Sequence, residues 1–376
     1  MCVVLSHYCG VFWLAPSAVN HFTNIPCPAV DHSLPAACRW ATAVPYLNWG
    51  PFGVAVFFLI SGFVIPYSLA RQSVRQFCLN RVLRIWPTYL VGFGTTCLAI
   101  LGGCHFFGVP VPYSAYEAAV HSVPGIRDLI QSRDIDGVIW TLEIEMKFYV
   151  FCAASWALIR RKSLWTFGVP VGLAVLALGL CAAIPTLSSS HPKLASFAIV
   201  WLNLTQFIVF MYIGVVFHYV RTSAMRADQA IVLISGLFML TCLIWASGPY
   251  RASLPVAWNY GFAVWLFAVA MAWPQLFKSN RLLNFLADIS YPLYVIHGIA
   301  GYVLMRTLQE FGVPPHGIIA ITTAAAFFTA WVIHRYIERP SQKWGKQLSG
   351  YLEPVSKDAT VQKPDVRSVE PSKNAA

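Results

Sequence analysis

The amino-acid sequence predicts an all-α, polytopic membrane protein of about ten transmembrane helices, each near the length that crosses a bilayer. Three observations carry that prediction. First, the 376 residues are 57% hydrophobic and only 11% charged. A soluble domain carries roughly a quarter charged residues, so this much apolar surface calls for lipid as solvent. Second, the charges are segregated: Lys, Arg, Asp and Glu are missing from 40–70, 85–116, 163–192, 194–220, 229–250, 252–277 and 311–334. Each window can hold a helix of roughly 20 residues, enough to span the hydrocarbon layer. Third, the apolar runs do not alternate with period two, which argues against an outer-membrane barrel.

The expected helices are 1–16, 49–70, 85–107, 140–159, 164–184, 196–219, 229–247, 255–273, 289–309 and 316–337. Basic loop residues set the expected orientation. Arg71, Arg75, Arg81, Arg84, Arg160, Arg161, Lys162, Arg221, Arg226, Lys278 and Arg281 fall on one side, and Arg39, Arg127, Arg133, Lys193 and Arg251 on the other. Putting the richer side in the cytoplasm places both termini there. Residues 1–346 form the expected membrane domain. From 347 to 376 the chain turns to Ser, Pro, Lys, Asp and Glu, and a disordered cytoplasmic tail is expected. The first helix is short, ending at Pro16 with no basic residue before it. A cleavable signal is not expected, because a charged n-region and a small-residue cleavage site are both wanting.

The net charge of +11 is a topology signal and an attraction to anionic lipid. No nucleic-acid partner is expected, since the basic residues sit in short loops between spans. Ten cysteines lie mostly in apolar windows, without a CxxC or a Cys/His ligand cluster, so no metal is expected. Cys27 and Cys38 share the first loop, where a disulfide or two free thiols are both open.

Ionisable side chains within spans are costly, and each is a functional candidate. His7 can take a proton from an attacking hydroxyl at working pH, or it can be a packing histidine bonded to a neighbouring helix. Arg81 and Arg84 share a helical face, suited to gripping phosphates or to anchoring a helix end. Glu143 and Lys147, four apart, are expected to neutralise each other. Glu145 points about 200° away from Glu143 and has Thr141 and Tyr149 as its axial neighbours; it is left to find a cation on another helix or to do chemistry. Ser290, Tyr294 and His297 form one stripe, facing either a polar substrate or a neighbouring helix.

In this order the motifs resemble the integral-membrane acyltransferases (acyltransferase type three) that O-acylate bacterial surface polysaccharides. The resemblance runs from His7 to about Lys346. Its carriers are Phe57-Phe58-Leu59-Ile60-Ser61-Gly62-Phe63, Arg81 and Arg84 with Pro87, Trp140-Thr141-Leu142 with Glu145 and Phe148-Tyr149, Ser290-Tyr291 with Tyr294 and His297, and Glu338-Arg339-Pro340. It implies an enzyme of a bacterial inner membrane that moves an acyl group from acyl-coenzyme A, most simply acetyl, to a carbohydrate hydroxyl. Lipopolysaccharide, capsule, exopolysaccharide, a lipo-oligosaccharide signal or a small glycoside would all fit as acceptor. His7 is then the expected base, with Arg81 and Arg84 serving the donor. Glu145 and His297 would orient the base or the acceptor, or relay the proton, while Ser61, Thr141, Tyr149, Ser290 and Tyr294 organise the site. Acyl-coenzyme A enters as co-substrate, and no resident cofactor is expected. Direct transfer and an acyl-enzyme are both open, since neither Ser61 nor Ser290 has a sequence-adjacent partner marking a nucleophile. The family also places an arginine a few helical turns before the first-helix histidine. His7 stands too near Met1 for that, and with the short first helix this predicts a segment missing before Met1. The rival expectations are a transporter of a small polar solute, for which paired interrupted halves are not evident, and a non-catalytic scaffold.

Overall fold

In the computed structural model, residues 1–26, 34–44, 46–249 and 251–352 are described, and among them every regular element is helical. The first helix, α1 (Cys2–Leu14), turns through 99° into α2 (Pro16–Thr23). Then follow α3 (Trp49–Arg71), α4 (Val74–Phe107), α5 (Ala115–His121), α6 (Ile139–Ala154), α7 (Trp156–Arg160), α8 (Gly168–Ser190), α9 (Pro192–Arg221), α10 (Ala227–Ser247) and α11 (Ala257–Ala272). The chain ends in α12 (Arg281–Asp288), α13 (Ser290–Ile296), α14 (Ile299–Glu310), α15 (Pro315–Ile333) and α16 (Arg339–Leu352).

Among the described residues seven helices are long and apolar enough to cross a membrane, or eight with the bent α1–α2 pair taken as one span. The two remaining expected spans, 140–159 and 289–309, are helical but broken. The first breaks at Ser155, whose hydroxyl donates to the Phe151 carbonyl at 2.7 Å; the 16-residue α6 is therefore about 24 Å long. The second breaks at His297–Gly298, between α13 and α14. Two boundaries move. The helix expected over 85–107 begins at Val74, because Ser73 and Gln76 form a capping box, so Arg81 and Arg84 lie within a continuous helix. The terminal helix continues through a π-turn (His334–Glu338) to Leu352, past the boundary expected at 347. The rest of the tail and Cys27 lie outside the described residues. Cys38 is buried in one small cluster with Cys9 and Ala41.

Among the described residues the bundle has two large apolar cores. One gathers α3, α8, α9 and α10; the other gathers α1, α4, α13, α14 and α15. Within the first core α9 is the most enclosed span, burying 78% of its apolar window. It meets α3 backbone to backbone: a Cβ on Gly62 would run into the Met211 carbonyl, and one on Gly214 into the Leu59 carbonyl. Glycine is required at both positions by proximity, as where membrane helices cross closely. Helix α6 is the seam. Its Ile144, Phe148 and Cys152 belong to the first core, and its Ile139 and Leu142 to the second.

This crossing generates a prediction. Gly214→Val should destabilise the folded chain by about 3 kcal/mol or more through overpacking against fixed backbone, read as a lower melting temperature in detergent. Gly172→Ala, with open space around it, is the control; equal melting of the two variants would refute the close crossing.

Candidate active site

The seam helix is set by the connection before it. Gly137 has φ +67°, a left-handed conformation that glycine adopts freely, and the turn leaves Asp136 at the start of α6. Asp136 Oδ1 accepts from the backbone N–H groups of Val138 and Ile139, both at 2.9 Å. Its Oδ2 accepts from the Tyr89 hydroxyl at 3.0 Å. Burial lifts the Asp136 carboxyl above the usual range. Burial also opposes the charge of Asp134, but the hydrogen bond to His121 and the charge of Arg127 prevail and hold it below.

With α6 so fixed, Thr141, Glu145 and Tyr149 occupy one face at four-residue intervals. Glu145, 7% exposed, finds hydroxyls where a cation was one expectation. Its Oε1 accepts from Ser61 on α3 at 2.7 Å and from Tyr149 at 2.6 Å. Beyond Tyr149 lies Arg81, its guanidinium 5.3 Å from the ring centroids of both Tyr149 and Phe77. Arg81 Nη2 donates to Ser68 at 2.6 Å. Arg84 is exposed, within electrostatic reach of Tyr149 and Glu338. The two arginines thus divide, one turned toward the bundle and the other outward.

A second cluster adjoins on the same side of α6. Thr141 Oγ1 and the Tyr294 hydroxyl share a 2.7 Å hydrogen bond. The Tyr294 ring lies 5.5 Å from that of His297, and Tyr294 is within electrostatic reach of Glu145. His297 is fully buried and meets His7 edge to face at 4.8 Å. Its Nδ1 donates to the Tyr294 carbonyl at 2.7 Å, and Nε2 is buried without a partner among the described residues. His7 opens a π-turn (His7–Val11) in α1, a local widening often found at functional sites. Its Nδ1 lies 2.6 Å from the Tyr302 hydroxyl on α14.

The structure therefore brings His7, His297, Tyr294 and Thr141 together beside Ser61, Glu145, Tyr149 and Arg81. Ser290 does not join them: it is exposed at the start of α13, and its hydroxyl donates to the Ala287 carbonyl at 2.7 Å. The expected Glu143–Lys147 neutralisation is corrected. Both oxygens of Glu143 accept from one edge of the Arg127 guanidinium, Nε and Nη2, and Lys147 pairs with Asp128 at 2.8 Å. The 122–138 connection folds back on α6 and supplies a closer partner to each. A cavity of ≈ 380 Å³ opens on the opposite face of α6, between Arg127, Trp140, Glu143 and Asn203; the histidines take no part in it.

Sequence reasoning missed Tyr302, Tyr89 and the His121–Asp134–Asp136 group. The last is the group of metal-ligating side chains that converges among the described residues. Its carboxylates already accept backbone N–H groups, from Val138 and Ile139 to Asp136 Oδ1 and from Gly137 to Asp134 Oδ1, each at 2.9 Å, as parts of a folded turn do. A tyrosine five residues after His297 in an apolar stretch was the available signal for Tyr302. The Asp136-Gly137 dipeptide, a common turn signal, was the local cue to the turn.

Comparison with known proteins fixes the class. The acyltransferase domain family model matches residues 1–335, and the chain belongs to that family. It is a multi-pass membrane acyltransferase, transferring acyl groups other than amino-acyl groups, and the transporter and scaffold expectations give way. Similar proteins include nodulation protein 10 of Rhizobium leguminosarum bv. viciae, 26% identical over 77% of this chain and 82% of the relative. Acyltransferase MdmB of Streptomyces mycarofaciens is 22% identical over 92% of this chain and 93% of its own. The exopolysaccharide production protein ExoZ of Rhizobium meliloti (strain 1021) is 24% identical over 79% and 91%. No solved structure matches the chain.

The Arg127–Glu143 pair generates a second prediction. Glu143 is 1% exposed, so Arg127→Ala leaves a buried carboxylate without its paired cation, with the Asp128 N–H as its remaining hydrogen bond at 3.2 Å, and should cost about 3 kcal/mol, seen as a fall in melting temperature. Adding Glu143→Gln should recover part of the loss. A single variant that melts like wild type would show the pair to be inconsequential.

Proposed function

We propose that the enzyme transfers an acyl group, most simply acetyl, from acyl-coenzyme A to a hydroxyl of a cell-envelope or exported carbohydrate. In this reading it sits in the inner membrane of a bacterium with both termini cytoplasmic. The observation that supports it best is the meeting of His7 on α1 with His297 from α13, next to a carboxylate that has hydroxyl partners. Carbohydrate as acceptor class draws on the exopolysaccharide named for one relative; lipopolysaccharide, capsule and smaller glycosides belong to the same proposal.

The proposed reaction is an acyl transfer with balanced protons. The sugar hydroxyl attacks the thioester carbonyl as His7 takes its proton. The tetrahedral centre collapses, the carbon–sulfur bond breaks, and the thiolate leaves with the proton His7 held. Arg84, exposed, meets the donor's phosphates, and Arg81 carries that positive field inward across Tyr149. His297 and Glu145, with Ser61, Thr141, Tyr149 and Tyr294, hold the reacting groups in register.

Two outcomes test the proposal, using proteoliposomes with labelled acetyl-coenzyme A and alkali-deacylated exopolysaccharide. His7→Ala should slow transfer on the order of 10²–10⁴-fold, the usual worth of a general base; an undiminished rate would remove His7 from the chemistry. Replacing both Arg81 and Arg84 by alanine should raise the donor KM. An unchanged KM would return both to helix anchoring.

A further inference from the structure

The 2.6 Å approach of the Tyr302 hydroxyl to His7 Nδ1 has no place in the scheme so far. We infer that Tyr302 is a positioning residue, fixing the tautomer and ring plane of His7 so that Nε2 is the nitrogen that exchanges a proton with the substrate. This rests on His7 being the base.

Two observations isolate Tyr302 as the neighbour able to do this. His297, the other polar ring against His7, has its tautomer set by the backbone: both neighbours of its Nδ1, the carbonyls of Leu293 (3.2 Å) and Tyr294 (2.7 Å), only accept. Nδ1 therefore carries the hydrogen, and Nε2 is a bare lone pair that can donate nothing. Tyr302, in contrast, is 2% exposed and bears a hydroxyl oxygen that can accept from Nδ1–H; with His7 as the base this is the direction the reaction requires, since donation by the hydroxyl would put the ring hydrogen on Nε2. Its ring also stacks on the His7 imidazole, 5.5 Å between centroids at 22°, so the hydroxyl and the ring plane restrain His7 together.

The fold holds the tyrosine itself in place. Helix α14 restarts after the break at Gly298, and the Tyr302 N–H donates to the Gly298 carbonyl at 3.1 Å. Gly301 leaves no room for a side chain: a Cβ there would overlap the Tyr8 phenol. Tyr8 packs flush on α14, with its own hydroxyl buried and unpartnered among the described residues.

In the productive tautomer His7 carries its proton on Nδ1 and donates it to the Tyr302 oxygen, leaving Nε2 bare. When Nε2 takes the substrate proton, the ring becomes a cation, and the Nδ1–H bond to oxygen is charge-assisted and stronger. The interaction thus grows toward the transition state, the condition for it to raise kcat rather than tighten binding.

The test is Tyr302→Phe, which keeps the stacked ring and removes one oxygen. In the same proteoliposome assay kcat should fall about 10- to 100-fold, as for other groups that orient a working imidazole, with the donor KM unchanged. His7→Ala combined with Tyr302→Phe should be no slower than His7→Ala alone, because the tyrosine acts through the histidine. Nitrogen-15 spectra of the imidazoles, assigned with His7→Ala, should show His7 protonated on Nδ1 in wild type and shifted toward Nε2 in Tyr302→Phe. The wild-type spectrum reads the tautomer even if the variant does not fold. A wild-type rate in Tyr302→Phe, an additive loss in the double variant, or Nε2 protonation in wild type would each overturn the inference. If His7→Ala itself keeps full activity, the reading of His7 as base fails instead.

Discussion

A carboxylate inside a membrane bundle is the constraint from which the rest of this architecture follows. Glu145 is almost wholly buried, yet its direct partners are two hydroxyls, Ser61 and Tyr149. Hydroxyls disperse a buried charge less fully than a guanidinium does. The arrangement endures only if α3 and α6 hold those hydroxyls at hydrogen-bond distance without slack. The glycine-mediated contact of α3 with α9 supplies that stiffness on one side. On the other, Asp136 pins the first turn of α6. Arg81 completes the balance at a remove, its charge felt through the Tyr149 ring.

The architecture was legible where one physical cause dominates. Charge-free windows map onto helices because lipid tolerates few alternatives, and all ten expected segments are helical. What local pattern did not convey is continuity. Ser155 and the His297–Gly298 step interrupt two segments whose hydropathy is unbroken, and the turning of α1 into α2 at Ala15 is marked only by Pro16. The reverse holds for α4, where arginines that looked like the end of a loop lie inside the helix; the Ser73–Gln76 box was the overlooked cue.

The site was legible in its residue types and less so in its pairings. His7, Glu145, His297 and Tyr294 were singled out because polar groups in apolar windows are expensive, and the fold does gather them. Glu143 and Lys147 were paired by helical spacing alone. That spacing says nothing of a connection folding back from residues 122–138, and Arg127 and Asp128 took both partners. Ser290 shares a stripe with Tyr294 in any ideal helix, but it stands at the helix start, where solvent and a local carbonyl claim it. Tyr302 escaped notice because a tyrosine in an apolar run resembles ordinary packing until its neighbour is known.

The Gly62–Gly214 crossing bears on how traffic through this enzyme is organised. Transport proteins that expose one site alternately to two compartments need a plane along which two halves can rock. Here the central pair of spans touches main chain to main chain at Gly62 and Gly214, with rings interlocked beside that point, Phe58 against Phe207 and Tyr67 against His218. Such a spine suits a stationary bulkhead: under the proposed reaction, thioester and sugar would travel to fixed machinery while the wall itself stays still.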